Sequence, residues 1–168
     1  LATPERMRQA REAGVRRVAF SIDAADAATH DQFRGFSGSF ERTMAGLFTA
    51  AAEGLPVQVN TTVYANNVDH LERMVPMLQE HGVVQWSVFF LVPTGRGDRL
   101  PMLDAEGHER ALNWLYDLSQ DAPFDVKATA APHYRRIAIE RARAAASADA
   151  GDAASGRVAG AGYRYEDG

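Results

Sequence analysis

The 168-residue sequence contains no cysteine. Disulfides are excluded, thiolate-held metal sites are excluded, and the composition fits a cytoplasmic chain. No apolar run approaches the roughly 18 residues that a membrane span needs. The opening stretch, residues 3–14, is charged and reads as an amphipathic helix rather than a secretory signal. Positive charge is not in excess either: 18 Lys and Arg stand against 22 Asp and Glu, for a net charge of −4. That balance offers no electrostatic attraction to nucleic acid or to an anionic membrane. The histidines, His30, His70, His81, His108 and His133, never fall four residues apart, so no helical zinc site is expected. No Ser sits in a Gly-x-Ser-x-Gly elbow, which removes that class of hydrolase. The chain starts at Leu1 rather than Met and is expected to be a fragment.

What remains is an ordinary globular composition, 46% hydrophobic and 24% charged. Its order of elements is legible. Thr3-Pro4 is an N-cap with proline at the first helical position, and Gly14 stops that helix. A strand is expected over 15–22 and a short helix over 25–33. Ser39 is expected to cap a helix carrying Met44, Leu47, Phe48 and Ala51 at helical spacing. Val57–Val63 reads as a strand. Asn67 is expected to cap a helix with Leu71, Met74, Val75 and Leu78 on one face, kinked at Pro76. A strand over 83–92 follows, then a helix capped by Asp104, a short strand over 124–129, and a helix from Pro132 to about Ala146. Strands alternating with helices through short connections imply a parallel sheet with crossovers. The expected division is an ordered unit over 1–145. Residues 146–168 form an Ala- and Gly-rich tail or the start of a C-terminal extension.

The strand 57–63 separates two architectures. Val57, Val59 and Val63 share one face, while Gln58, Asn60 and Thr62 share the other. A central strand of a doubly wound sheet is packed by helices on both faces and is apolar throughout. A polar face suits the interior of a barrel that holds a polar ligand. The first strand agrees, with Val18, Phe20 and Ile22 opposite Ala19, Ser21 and Asp23. The strand around Trp86 to Val92 is apolar on both faces and does not discriminate. The expected class is α/β, a barrel or partial barrel.

Four constellations carry chemistry. Ser21, Asp23 and Arg34 put a hydroxyl, a carboxylate and a guanidinium at a strand exit, where α/β proteins bind ligands. They read as a clamp in which Arg34 takes a carboxylate, or as a helix cap beside a surface ion pair. Asn60 and Thr62 suit a nucleoside or amino acid ligand, or an internal polar network. Phe90-Leu91-Val92-Pro93-Thr94-Gly95-Arg96-Gly97 ends a buried strand with a proline and glycines that permit close approach of a ligand, or is an ordinary strand-to-helix loop. It lacks the third glycine and following helix of a dinucleotide loop. Ala131-Pro132-His133-Tyr134-Arg135-Arg136 opens the last helix with groups that could meet an anion, or that form a solvated basic face.

Together, residues 18–23, His30 to Gly35, Ser39 to Thr43, 56–63, 89–97 and Ala131 to Arg135 resemble the second half of a radical SAM core domain. The branch they resemble carries a SPASM extension and includes peptide maturases and enzymes of alternative haem synthesis. The resemblance implies a fragment of a (β/α)6 partial TIM barrel with helices on the outer face. It implies that Ser21, Arg34, Asn60 and Val92 contact S-adenosylmethionine: the ribose or amino acid part at Ser21, the carboxylate at Arg34, the adenine at Val92. The implied parent enzyme cleaves S-adenosylmethionine reductively to a 5′-deoxyadenosyl radical. That radical would abstract hydrogen from a peptide or tetrapyrrole, with a reductant protein as partner. The family's [4Fe-4S] cluster needs a CxxxCxxC loop that this chain does not contain, so its ligands are expected outside the chain. No residue here is expected to be catalytic or to bind metal, and the chain alone is expected to be inactive. A half barrel with two open edges is also expected to self-associate if expressed alone. The alternatives are a non-catalytic interaction module and a different, phosphate-binding partial barrel.

Overall fold

In the computed structural model, which describes residues 2–155, α1 (Pro4–Glu12) leads into β1 (Val18–Ser21), α2 (Ala27–Arg34) and α3 (Ser39–Ala52). Then come β2 (Val57–Val63), α4 (His70–Glu80), β3 (Gln85–Phe90), α5 (Ala105–Asp121), β4 (Asp125–Thr129) and α6 (His133–Ser155). The four strands form one parallel sheet in chain order, β1-β2-β3-β4.

Register explains the two faces. Ser21 lies beside Asn60, Asn60 beside Ser87, and Ser87 beside Lys127. Polar side chains therefore line up across all four strands on one face. The residues between them, Phe20, Val59, Val88 and Ala128, line the other, which packs on the helices. On that side Leu47 of α3, Leu71 and Met74 of α4, Leu112 and Leu115 of α5 and Ile137 of α6 are almost fully buried. One covered apolar face and one uncovered polar face is the arrangement of a barrel wall, as the alternation in 57–63 implies.

Trp86 anchors the covered face, fully buried, with Trp114 and Phe124 edge-on at 6.1 and 6.4 Å. Its indole N–H donates to Thr61 Oγ1 at 2.8 Å, and that hydroxyl donates to the Ile22 carbonyl at 2.6 Å. Thr61→Val would leave a buried N–H and a buried carbonyl unpaired. The expected loss is about 1–3 kcal/mol, read as a lower denaturation midpoint with an unchanged m-value. A loss below about 0.5 kcal/mol would show that the hydroxyl is dispensable. Helix α3 approaches β1 closely at Gly46, where a Cβ would lie 2.9 Å from the Phe20 ring.

Several boundaries differ from the expected ones for local reasons. β1 begins at Val18 rather than residue 15. Its partner position before Val57 is Pro56, which has no N–H to donate, so the ladder stops there with Val18 N–H donating to the Pro56 carbonyl. Gly38, not Ser39, is the N-cap residue of α3, and the cap is supplied from elsewhere. Pro76 sits inside α4, which continues across it to Glu80. α6 runs past Ala146 to Ser155, because an Ala-rich run propagates a helix readily. The rest of the expected tail, 156–168, lies outside the described residues. Among the described residues no helix is long and apolar enough to cross a membrane.

Candidate functional site

The loop after β1 carries the site. Asp26 caps α2 by accepting the Thr29 N–H at 2.9 Å, so Asp23 does not take that role. Asp23 is instead buried, with its side chain 0% exposed. Its Oδ1 accepts the Thr62 N–H at 2.9 Å, and its Oδ2 lies 2.6 Å from Arg34 Nη2. Arg34 is the last residue of α2, placed there because Gly35 adopts the left-handed conformation (φ 68°) that ends the helix. The Arg34 side chain is 34% exposed. Phe33 lies under its guanidinium at 5.5 Å and stacks on Tyr64 at 5.1 Å.

Buried polar groups brace this junction. The Asp23 N–H donates to His30 Nδ1 at 3.0 Å, which puts the imidazole proton on Nε2, 3.3 Å from Ser39 Oγ. Burial keeps the His30 pKa below its ordinary value, so the 3.8 Å approach of its Nδ1 to Asp23 Oδ2 is not an ion pair at neutral pH. Asp31 accepts the N–H groups of Gly38 at 2.6 Å and Phe40 at 2.8 Å and so caps α3. Asn67, expected as a helix cap, is fully buried and ties the two strand exits together. Its Nδ2 donates to the carbonyls of Asp23 and Thr62, and its Oδ1 accepts the Tyr64 N–H.

The polar face is itself cross-linked. Arg17 donates to Gln85 Oε1, and Gln85 Nε2 to Ser87 Oγ at 2.9 Å. Gln58 Nε2 spans Ser87 Oγ at 3.3 Å and Asn60 Oδ1 at 2.7 Å. With its oxygen occupied, Asn60 presents its NH2 donors. Ser21 is the register neighbour of Asn60 and is half-buried on the same face.

At the C-terminal ends of the strands lies a cavity of ≈ 480 Å³, within the roughly 300–1,000 Å³ usual for ligand pockets. Arg34, Gly35, Thr62, Leu91, Val92 and Gly97 line it. Val92 is 57% exposed. The wall thus carries a cation, a threonine whose N–H is held by Asp23, and aliphatic side chains. Arg34 and Val92 face this cavity directly, whereas Ser21 and Asn60 are not among its lining residues. Thr62, expected with Asn60 to suit a polar ligand but not among the residues that the resemblance places on S-adenosylmethionine, is. The basic cluster of α6 is different in character: Arg136 is paired with Glu109 and Glu140, and Tyr134 donates to Ser119.

The chemistry of the wall fits S-adenosylmethionine, a ligand with a carboxylate at one end and an adenine at the other. It does not fit an iron–sulfur cluster, since the chain has no thiolate to offer one.

No protein-family model matches the chain. It is 44% identical over 143 residues to the AdoMet-dependent heme synthase of Methanosarcina barkeri, covering 85% of this chain and 41% of that protein. The AdoMet-dependent heme synthase of Nitratidesulfovibrio vulgaris is 41% identical over 145 residues, covering 85% of this chain and 40% of that protein. The chain therefore spans about two fifths of the length of the curated relatives it matches. In fold it is similar to Streptococcus suis SuiB in its structure bound to S-adenosylmethionine. The TM-score is 0.57 at 12% identity, covering 67% of this chain and 27% of SuiB. Four parallel strands, an uncovered polar face and these similarities agree. The chain is a homologue of the radical SAM enzymes.

Proposed function

We infer that this chain is the S-adenosylmethionine-binding wall of a radical SAM enzyme. The observation that carries the reading is the convergence of Arg34, Thr62 and Val92 on one cavity at the C-terminal end of an uncovered polar sheet. Arg34 holds the ligand's carboxylate through N–H donors left over from Asp23. Val92 offers apolar surface to the adenine. Ser21 and Asn60, side by side one layer down, supply a hydroxyl and an amide to the ribose or amino acid part. On one-electron reduction by an iron–sulfur cluster held outside this chain, bound S-adenosylmethionine would supply a 5′-deoxyadenosyl radical for hydrogen abstraction and release methionine. The residues of this chain bind and orient it and keep water from its apolar end.

The relatives support one substrate class for the whole protein. The two heme synthases exceed 40% identity over most of the chain, so a tetrapyrrole is favoured over a peptide. An electron-donating protein completes the cycle.

Calorimetry of the full-length protein tests the reading. The Ser21→Ala, Arg34→Ala double variant should bind S-adenosylmethionine about 10–100-fold more weakly, as loss of a charge-assisted contact implies. Wild-type affinity in that variant, assayed below its melting temperature, would remove these residues from the site.

A further inference from the structure

Asp23 is a charged group at the cavity-lining residue Arg34 that the binding reading does not use. Its side chain is wholly buried, so no ligand reaches it. One oxygen is fixed by the Thr62 N–H of the neighbouring strand. The residue's own N–H is held by His30, and its carbonyl by Asn67. Apart from Arg34, the partners of Asp23 are the backbone of β2 at Thr62 and the fully buried side chains of His30 and Asn67. Arg34 is the opposite: it sits at the end of a helix, lines the cavity and is partly exposed. A long guanidinium arm in that position has rotamer freedom to lose on binding. The Asp23 contact removes it beforehand.

The geometry of the contact adds a second point. Arg34 Nη2 lies 2.6 Å from Asp23 Oδ2, a charge-assisted contact made by one of its N–H donors. Asp23 thus occupies one end of the guanidinium, whose five N–H donors exceed what a single oxygen can take. Phe33, beneath the guanidinium at 5.5 Å, limits its rotation further.

We propose that Asp23 is a positioning residue, which presets the Arg34 guanidinium at the cavity wall so that it receives the carboxylate of an amino acid-bearing ligand. This rests on the reading of the cavity as an S-adenosylmethionine site. Its specific content is that Asp23 controls selectivity for the carboxylate without touching it.

The test compares S-adenosylmethionine with 5′-methylthioadenosine, which keeps the nucleoside and lacks the carboxylate, on the full-length protein. Arg34→Ala should weaken the first about tenfold or more and leave the second unchanged. Asp23→Asn keeps an oxygen for the Thr62 N–H and removes the charge. It should reproduce the selective loss, and the Asp23→Asn, Arg34→Ala double variant should be no weaker than Arg34→Ala alone. If Asp23→Asn melts below the assay temperature, Asp23→Glu carries the test. It retains the charge and displaces it by a methylene, and a smaller loss of the same selectivity is expected. A merely structural Asp23 would weaken both ligands equally or neither, and either result overturns the proposal while Arg34→Ala still behaves as expected. No effect of Arg34→Ala on S-adenosylmethionine would instead overturn the site reading itself.

Discussion

Replacing Arg34 by alanine is expected to cost about 2–3 kcal/mol of stability at neutral pH, and far less in acid. Removing one member of a buried ion pair strands the other, at roughly 3–5 kcal/mol for a fully enclosed pair. The Arg34 side chain is 34% exposed, so water screens the contact and the figure is reduced accordingly. The pH dependence follows from Asp23. Burial raises its pKa above the ordinary 3.8, against the opposing pull of Arg34, the Thr62 N–H and His30. A carboxyl raised in the fold favours folding while protonated, and that advantage is lost as pH rises through its folded pKa. Without Arg34 the folded pKa climbs further. Variant and wild type therefore converge below about pH 4. They separate as pH rises through the wild-type value and then the variant's. Thermal unfolding of both proteins between pH 4 and pH 8 reads this directly. A difference that does not change with pH would mean that Asp23 and Arg34 are not the coupled pair.

Asn67→Ala has a larger expected effect, about 3–5 kcal/mol. The amide is fully buried and satisfies three backbone groups, the carbonyls of Asp23 and Thr62 and the N–H of Tyr64. Each buried group left unpaired costs about 1–3 kcal/mol, and a methyl group restores none of them. Asn67→Asp should be no better. It keeps the acceptor for Tyr64 but turns an anion toward two carbonyls and the Asp23 carboxylate. Denaturant titration distinguishes the outcomes, and a loss below about 1 kcal/mol in the Ala variant would contradict the bracing role. A loss of the expected size is a large share of the roughly 5–15 kcal/mol that holds a typical domain together.

Asn67 also marks the limit of what local sequence reveals. Caps that act within three residues were legible: Thr3 accepts the Arg6 N–H and Asp104 the Gly107 N–H. Asn67 has the composition of a cap and precedes a helix, but its partner at Asp23 is 44 positions away. No pattern within one segment shows such a contact. Ser39 failed as a cap for the same reason, since Asp31, reaching from the preceding helix, holds the start of α3. The polar and apolar faces of β1 and β2 were legible because a period of two is set by the backbone alone. In β3 the distinction was obscured. Its polar residues Gln85 and Ser87 share a face with Phe89, which lies beside Thr62 toward the cavity. Arg34 and Val92 were expected at the ligand site and line the cavity. Thr62 was paired with Asn60 as suiting a polar ligand but was not among the residues that the resemblance placed on S-adenosylmethionine. The burial of Asp23, which gives Arg34 its partner, depends on the neighbouring strand and had no local signature.

The order of the sheet has a consequence for how the chain is made. Among the described residues each strand pairs only with its neighbours in sequence. A ribosome delivering this segment from its N-terminus can therefore add one strand and one helix at a time to an existing edge. No strand waits for a partner still unsynthesised beyond its immediate successor, so exposed edges are short-lived. The Asp23–Asn67 bridge then closes as soon as β2 and the turn after it have emerged, before α4 is complete. On this view the ligand-facing corner is among the first parts of the segment to settle, and the later units assemble against it.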